Sequence, residues 1–168
     1  MPNIPERIRQ ARHNFKFLES LENGGLSGEF SDWVVTVCFY TAVHYIEAGI
    51  GLSETLFIEP SRGRRDRVSN SSSSDPHCSE TLVSQAGIYN TSQHNARKLV
   101  LRWNTRAFPG CVEAYGTLLD QSKSARYNAQ IVPPSEVAVA MDAARKIHRV
   151  IEGIIALDEA KKRDTKTA

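Results

Sequence analysis

The sequence predicts an all-α protein, an antiparallel bundle of four or five helices interrupted by one long basic loop. Three observations lead there. Ser31 to Leu52, SDWVVTVCFYTAVHYIEAGIGL, is apolar on nearly every face, which is the pattern of a helix buried inside a protein. It is also too long for an ordinary strand, whose usual length is about five or six residues. On either side of it, apolar residues recur at three- and four-residue spacing, whereas between residues 53 and 90 that rhythm stops and arginine and serine take over.

The bulk numbers fit one domain spanning residues 1–168, large enough to bury a core without staples. Charged residues at 24% and hydrophobic residues at 40% are ordinary for a globular protein. A formal net charge of +2 does not announce a nucleic-acid binder, so such a role has to come from a local patch. Cys38, Cys78 and Cys111 are an odd set with no CxxC pair, which argues for a reducing compartment and against a disulfide framework. The N-terminus lacks a signal-peptide core, and His44 and Glu47 interrupt the most apolar stretch. The expectation is a cytoplasmic protein with no membrane span.

The first helix is expected from Pro5 to about Glu22. Ile8, Ala11, Phe15, Leu18 and Leu21 form its buried stripe, Arg7, Arg9, Arg12 and Lys16 its basic side, and Asn23-Gly24-Gly25 its stop. The central helix follows a short loop, with Ser31 as its cap and Asp32 in its first turn. The basic and Ser-rich insertion, residues 53–90, reads as loop, although Thr55 to Ile58 and Glu80 to Ala86 could each form a helical turn. Thr91-Ser92 caps a helix running to about Arg106, with Ala96, Leu99, Val100 and Trp103 facing inward. Pro109-Gly110 separates it from a fourth helix through Cys111, Tyr115 and Leu118 toward Tyr127, and Pro133-Pro134 ends that one. The last helix carries a continuous stripe from Val137 to about Leu157, and residues 161–168 read as a polar, frayed tail.

Little in the chain offers catalysis by familiar motifs. There is no Walker-type loop, HExxH or nucleophile elbow, and the adjacent His77-Cys78 pair does not suit zinc chelation, so no metal or cofactor is expected. Histidine and arginine remain. His94 and Arg97 lie three apart on a predicted helix and reach the same side. Such a pair suits metal-independent phosphodiester chemistry, the histidine moving the 2′-hydroxyl proton and the arginine holding the phosphorane charge. The bland alternative is a wet helix surface. Arg62, Arg64, Arg65 and Arg67 could hold a phosphate backbone or simply decorate a solvated insertion. His44 is the one ionisable group amid the bulk apolar residues of the central helix, a core histidine or a site residue. Arg126, before Tyr127, could tie the fourth helix to Glu47 or Asp32, and His44 could bond Tyr127 or Tyr115.

SDWVVTVCFYTAVHYIEA, QHNARKLV and EAYGTLLDQSKSARYNA, in that order, resemble the HEPN family (higher eukaryote and prokaryote nucleotide-binding domain). Asp32-Trp33, Tyr40, His44 and Ala48 match a DWA-like start into YYxAxHxxxA. His94 and Arg97 match its HxxR helix, and Tyr115, Leu118, Ser122, Ala125, Arg126 and Tyr127 match YxxLxxxSxxARY. The resemblance covers roughly residues 30 to 130. It implies a helical bundle that forms a homodimer and engages RNA or a nucleotide in a bacterial toxin–antitoxin or antiviral defence system. It implies His94 and Arg97 as catalytic residues of a metal-independent endoribonuclease, with His44, Arg126 and Tyr127 behind them. Active members of the family use an Arg followed four to six residues later by His. Here such a spacing lies at Arg7 and His13 on the first helix, and His94-xx-Arg97 has the reverse order. That departure leaves a second expectation standing, a non-catalytic adaptor or effector subunit that binds a partner protein encoded by a neighbouring gene.

Overall fold

A computed structural model of the chain describes residues 3–59, 66–69, 78–127 and 131–167, without the side chains of Ser69, Tyr127, Lys166 and Thr167. In order, the described elements are α1 (Ile4–Asn23), α2 (Ser31–Leu52), β1 (Thr55–Ile58), β2 (Asp66–Ser69), α3 (Ser79–Gln85), α4 (Gln93–Trp103), α5 (Cys111–Tyr127) and α6 (Pro134–Thr167). The architecture is largely all-α.

Pairs of touching side chains fix how the long helices run. Arg12 and Glu22 of α1 meet Glu152 and Arg145 of α6, so α1 and α6 are antiparallel. Cys38 and Tyr45 of α2 meet Met141 and His148 of α6, so α2 and α6 are parallel. Tyr40 of α2 meets Arg126 near the end of α5, and Gly49 lies against Phe108 just before its start, which makes α2 and α5 antiparallel. The four long helices therefore alternate in direction along the chain, and α2 touches the other three. Fully buried Phe39, Ile46 and Ile50 each contribute roughly 1.5–3 kcal/mol through burial. Gly49 sets the closest approach: a Cβ there would stand 2.6 Å from Ile151 Cδ1.

Local chemistry explains most boundaries. Asn3 and Glu6 form a reciprocal capping box at the start of α1, with Pro5 in the first turn. Ser92 caps α4 by accepting from the Asn95 N–H. Ser31, expected as the cap of α2, is instead its first helical residue and is buried; Phe30 holds the cap position without a side-chain bond. The helix α6 continues to Thr167 rather than giving way to a frayed tail, carried by exposed pairs such as Lys162 with Asp158.

Two expectations about the middle of the chain are corrected. Thr55–Ile58 is not a helical turn but a strand, paired antiparallel with Asp66–Ser69 so that Phe57 faces Arg67. Leu56 and Ile58 point into the core while Thr55 and Phe57 do not, the two-residue alternation of a half-buried strand. Asn104, at the end of α4, closes the other edge: its Oδ1 accepts from Phe57 N at 2.7 Å and its Nδ2 donates to Phe57 O at 2.9 Å. The second correction concerns α2, which is long and apolar enough to cross a membrane by composition, His44 and Glu47 notwithstanding. Its most apolar window is 78% buried inside the fold. Yet it is not enclosed on every side: Trp33 is 63% and Tyr40 43% exposed.

Candidate functional site

Glu47 of α2 is a buried carboxylate on which α3 and α4 converge. Arg97 of α4 donates through Nε to Glu47 Oε1 at 2.7 Å, with 7% of the arginine side chain and 3% of the glutamate side chain exposed. Ser79, the first residue of α3, donates its hydroxyl to Oε1 at 2.5 Å and its backbone N–H to Oε2 at 3.3 Å. One carboxylate thus neutralises the arginine and caps a helix. Burial works against the charge on Arg97, and the fields of Glu47 and Tyr115 outweigh it, so its pKa is raised.

His94 stands one turn before Arg97, half-buried. Its Nδ1 lies 3.2 Å from the Tyr115 hydroxyl and 3.4 Å from Arg97 Nη1. Since a guanidinium can only donate, Nδ1 is the acceptor and the neutral ring carries its proton on Nε2. Burial lowers the pKa of His94, and the charges of Arg97, Arg126 and Lys123 lower it further. Both influences favour the neutral imidazole, which offers an N–H donor in a positive field. That arrangement favours holding a phosphate oxygen over removing a proton.

The ring of Phe39 organises the outer part of the cluster. His94 lies 5.3 Å, Tyr40 5.4 Å and Tyr115 5.9 Å from it by ring centroids, and the Arg126 guanidinium carbon sits 5.7 Å from its centre. Arg126 donates from Nε to the Ser122 carbonyl, one turn back, and from Nη1 to the Tyr40 hydroxyl at 3.4 Å. Glu47, one of the carboxylates that Arg126 could have tied to, belongs to Arg97 and Ser79. The structure thus brings His94, Arg97 and Arg126 to one corner, with Tyr40, Tyr115 and Lys123 beside them.

Of the other candidates, only His44 and Arg67 have described side chains. Among the described residues His44 forms no hydrogen bond to Tyr115 and its buried Nδ1 has no partner; burial, followed by the charges of Arg7 and Arg97, lowers its pKa. The Tyr127 side chain and Arg62, Arg64 and Arg65 lie outside the described residues. Arg67 is exposed on β2 and donates to Thr55 Oγ1 across the hairpin at 3.2 Å. Among the described residues no three His, Cys, Asp or Glu side chains are grouped to hold a metal ion.

A second polar network was not evident in the sequence. The Tyr45 hydroxyl donates to Glu152 Oε1 at 3.0 Å and lies 2.9 Å from His148 Nδ1. Arg12 grips both oxygens of Glu152, at 2.8 and 2.7 Å, and His148 stacks on Phe15 with ring centroids 3.9 Å apart. This network ties α1, α2 and α6 together, so Arg12 serves the fold rather than a free basic face. Tyr45 lies 103 positions from His148 and 107 from Glu152, and Arg12 lies 140 from Glu152, so the network leaves no local signal. Comparison of the chain with protein-family models, curated proteins and solved structures gives no significant match.

Proposed function

We propose that this chain is a HEPN-like protein that engages RNA or a nucleotide through the His94 corner, acting as a homodimer in a bacterial toxin–antitoxin or antiviral defence system. One observation carries the reading: a half-buried imidazole held against Phe39 by Tyr115 and Arg97, with the charges of Arg97, Arg126 and Lys123 acting on it. A phosphate placed there meets an N–H donor and exposed cations, while Tyr40 offers an aromatic face. Arg97 acts as a positioning residue, its charge committed to Glu47 and its Nη1 holding the histidine. If the chain cleaves RNA, the bound phosphate offsets the nearby cations so that His94 takes up a proton. As the 2′-oxygen, its proton passing to water, attacks phosphorus, the imidazolium gives its Nε2 proton to the departing 5′-oxygen, and the product ends in a 2′,3′-cyclic phosphate.

The second reading is a non-catalytic adaptor that binds a partner protein. It draws support from Arg97, which is buried by an ion pair and so less able to clamp a phosphorane. A single experiment separates the two: labelled single-stranded RNA with excess chelator, incubated with wild type, His94→Gln and Lys123→Ala/Arg126→Ala. The proposal expects tenfold or greater weakening of binding in the double variant and loss of any cleavage in His94→Gln. Equal RNA affinity in wild type and double variant overturns it, and absence of any RNA or nucleotide affinity leaves the adaptor reading.

A further inference from the structure

We infer that the open stripe of α2 is a base-stacking track that begins at the His94 corner, so that the ligand is a single strand of nucleic acid. This inference rests on the nucleotide-engaging reading above and specifies its ligand. Trp33, Val37 and Tyr40 recur at four- and three-residue spacing and share one face of the helix. Elsewhere the same helix is packed against α1, α5 and α6, yet here two aromatic rings stand in solvent, Trp33 at 63% and Tyr40 at 43% exposure. Aromatic rings beside cations are how proteins hold unpaired bases with little regard to sequence.

Charge complementarity decides the occupant. Arg126 joins the stripe to the His94 corner: it bonds the Tyr40 hydroxyl and its guanidinium carbon lies 6.0 Å from the Tyr40 ring centre. Lys123, one turn back on α5, adds a second exposed cation. At the other end, Asp32 and Glu29 flank Trp33 and repel phosphate. Phosphates therefore sit at the Tyr40 end, and a base reaches out to Trp33. The rings are seven residues apart, about 10.5 Å along the helix at 1.5 Å per residue. That exceeds the roughly 3.4 Å step of stacked bases in a duplex, so the strand must splay its bases to use both platforms. A duplex, whose base faces are covered, cannot.

Trp33 reports its own occupancy. The chain has two tryptophans, and the other, Trp103, is only 3% exposed. A short adenosine oligonucleotide, a duplex of the same length and adenosine monophosphate are titrated separately while tryptophan emission and affinity are recorded. The expected result is Trp33 quenching by the single strand, weak or absent quenching by the duplex, and monophosphate binding that leaves Trp33 emission unchanged. Trp33→Ala should weaken oligonucleotide binding about 5- to 150-fold, the worth of one stacked base, and Trp33→Phe should retain most of it. Should Trp33→Ala bind the oligonucleotide as wild type does while Arg126→Ala does not, the track is refuted and the corner survives. Should no oligonucleotide or monophosphate bind, both fall. If Trp33 emission instead shifts with protein concentration alone, a second copy of the chain covers the stripe and the track is likewise overturned.

Discussion

Replacing Glu47 with alanine should destabilise the protein by about 3–5 kcal/mol, the cost of leaving one member of a buried ion pair uncompensated. The figure follows from the geometry. The Glu47 and Arg97 side chains are 3% and 7% exposed and meet at 2.7 Å, so water cannot replace the lost partner. Two Ser79 donors lose their acceptor as well, each costing about 1–3 kcal/mol if left buried and unmet. These losses share one carboxylate and do not add, so the ion-pair range is retained as the whole. For a chain of 168 residues it corresponds to a fall in Tm of about 6–20 °C. Thermal and urea unfolding followed by far-ultraviolet circular dichroism measure it. The double change Glu47→Met/Arg97→Met should recover most of the loss, because apolar replacement of a whole buried pair is often neutral. A Glu47→Ala effect below about 1 kcal/mol, the range of exposed pairs, would refute the reasoning.

Further outcomes follow from other contacts. Gly49→Ala places a methyl 2.6 Å from Ile151 Cδ1 and 3.2 Å from Phe108 Cε1 and should cost about 1–3 kcal/mol in urea unfolding, with no loss meaning that the Ile151 side chain swings clear. Burial pushes the thiols of Cys38 and Cys111 up to about 12, so in the folded protein a thiol reagent should label Cys78 well ahead of both, as peptide mapping would show. Burial also lowers the pKa of His44, His94 and His148 below the ordinary value of about 6.5. The unfolded chain therefore takes up protons on these rings before the folded chain does. Stability is fully present above that value and falls as the pH drops below it. Denaturation midpoints that stay flat on acidification through this range would contradict the shifts.

The bounds of α2 were legible because a long apolar run without proline has few alternatives, and its central place followed from the same run. The neighbourhood of His94 and Arg97 was legible for a similar reason, since three-residue spacing on a helix puts two side chains together whatever the tertiary fold. The partner of Arg97 was not. Glu47 lies fifty positions away on another helix, and Arg126 offered an equally good sequence match. The hairpin escaped notice because its strands have four residues each, too few for alternation to rise above loop composition, and because the Asn104 clamp that completes them is a tertiary contact. The exposure of Trp33 was not legible for a subtler reason. Apolar residues all round a helix show that it can be buried on every side, but not that neighbours exist to cover each side.

The most direct test of the account is the titration of His94 itself. Imidazole nuclear magnetic resonance signals of the five histidines can be followed against pH, with His94→Gln identifying the relevant one. In the free protein His94 should titrate below about 6.5, held down by burial and by Arg97, Arg126 and Lys123. With adenosine monophosphate added, the anion should offset those cations and its midpoint should move upward. A midpoint that is the same with and without the nucleotide would contradict the claim that this corner receives a phosphate.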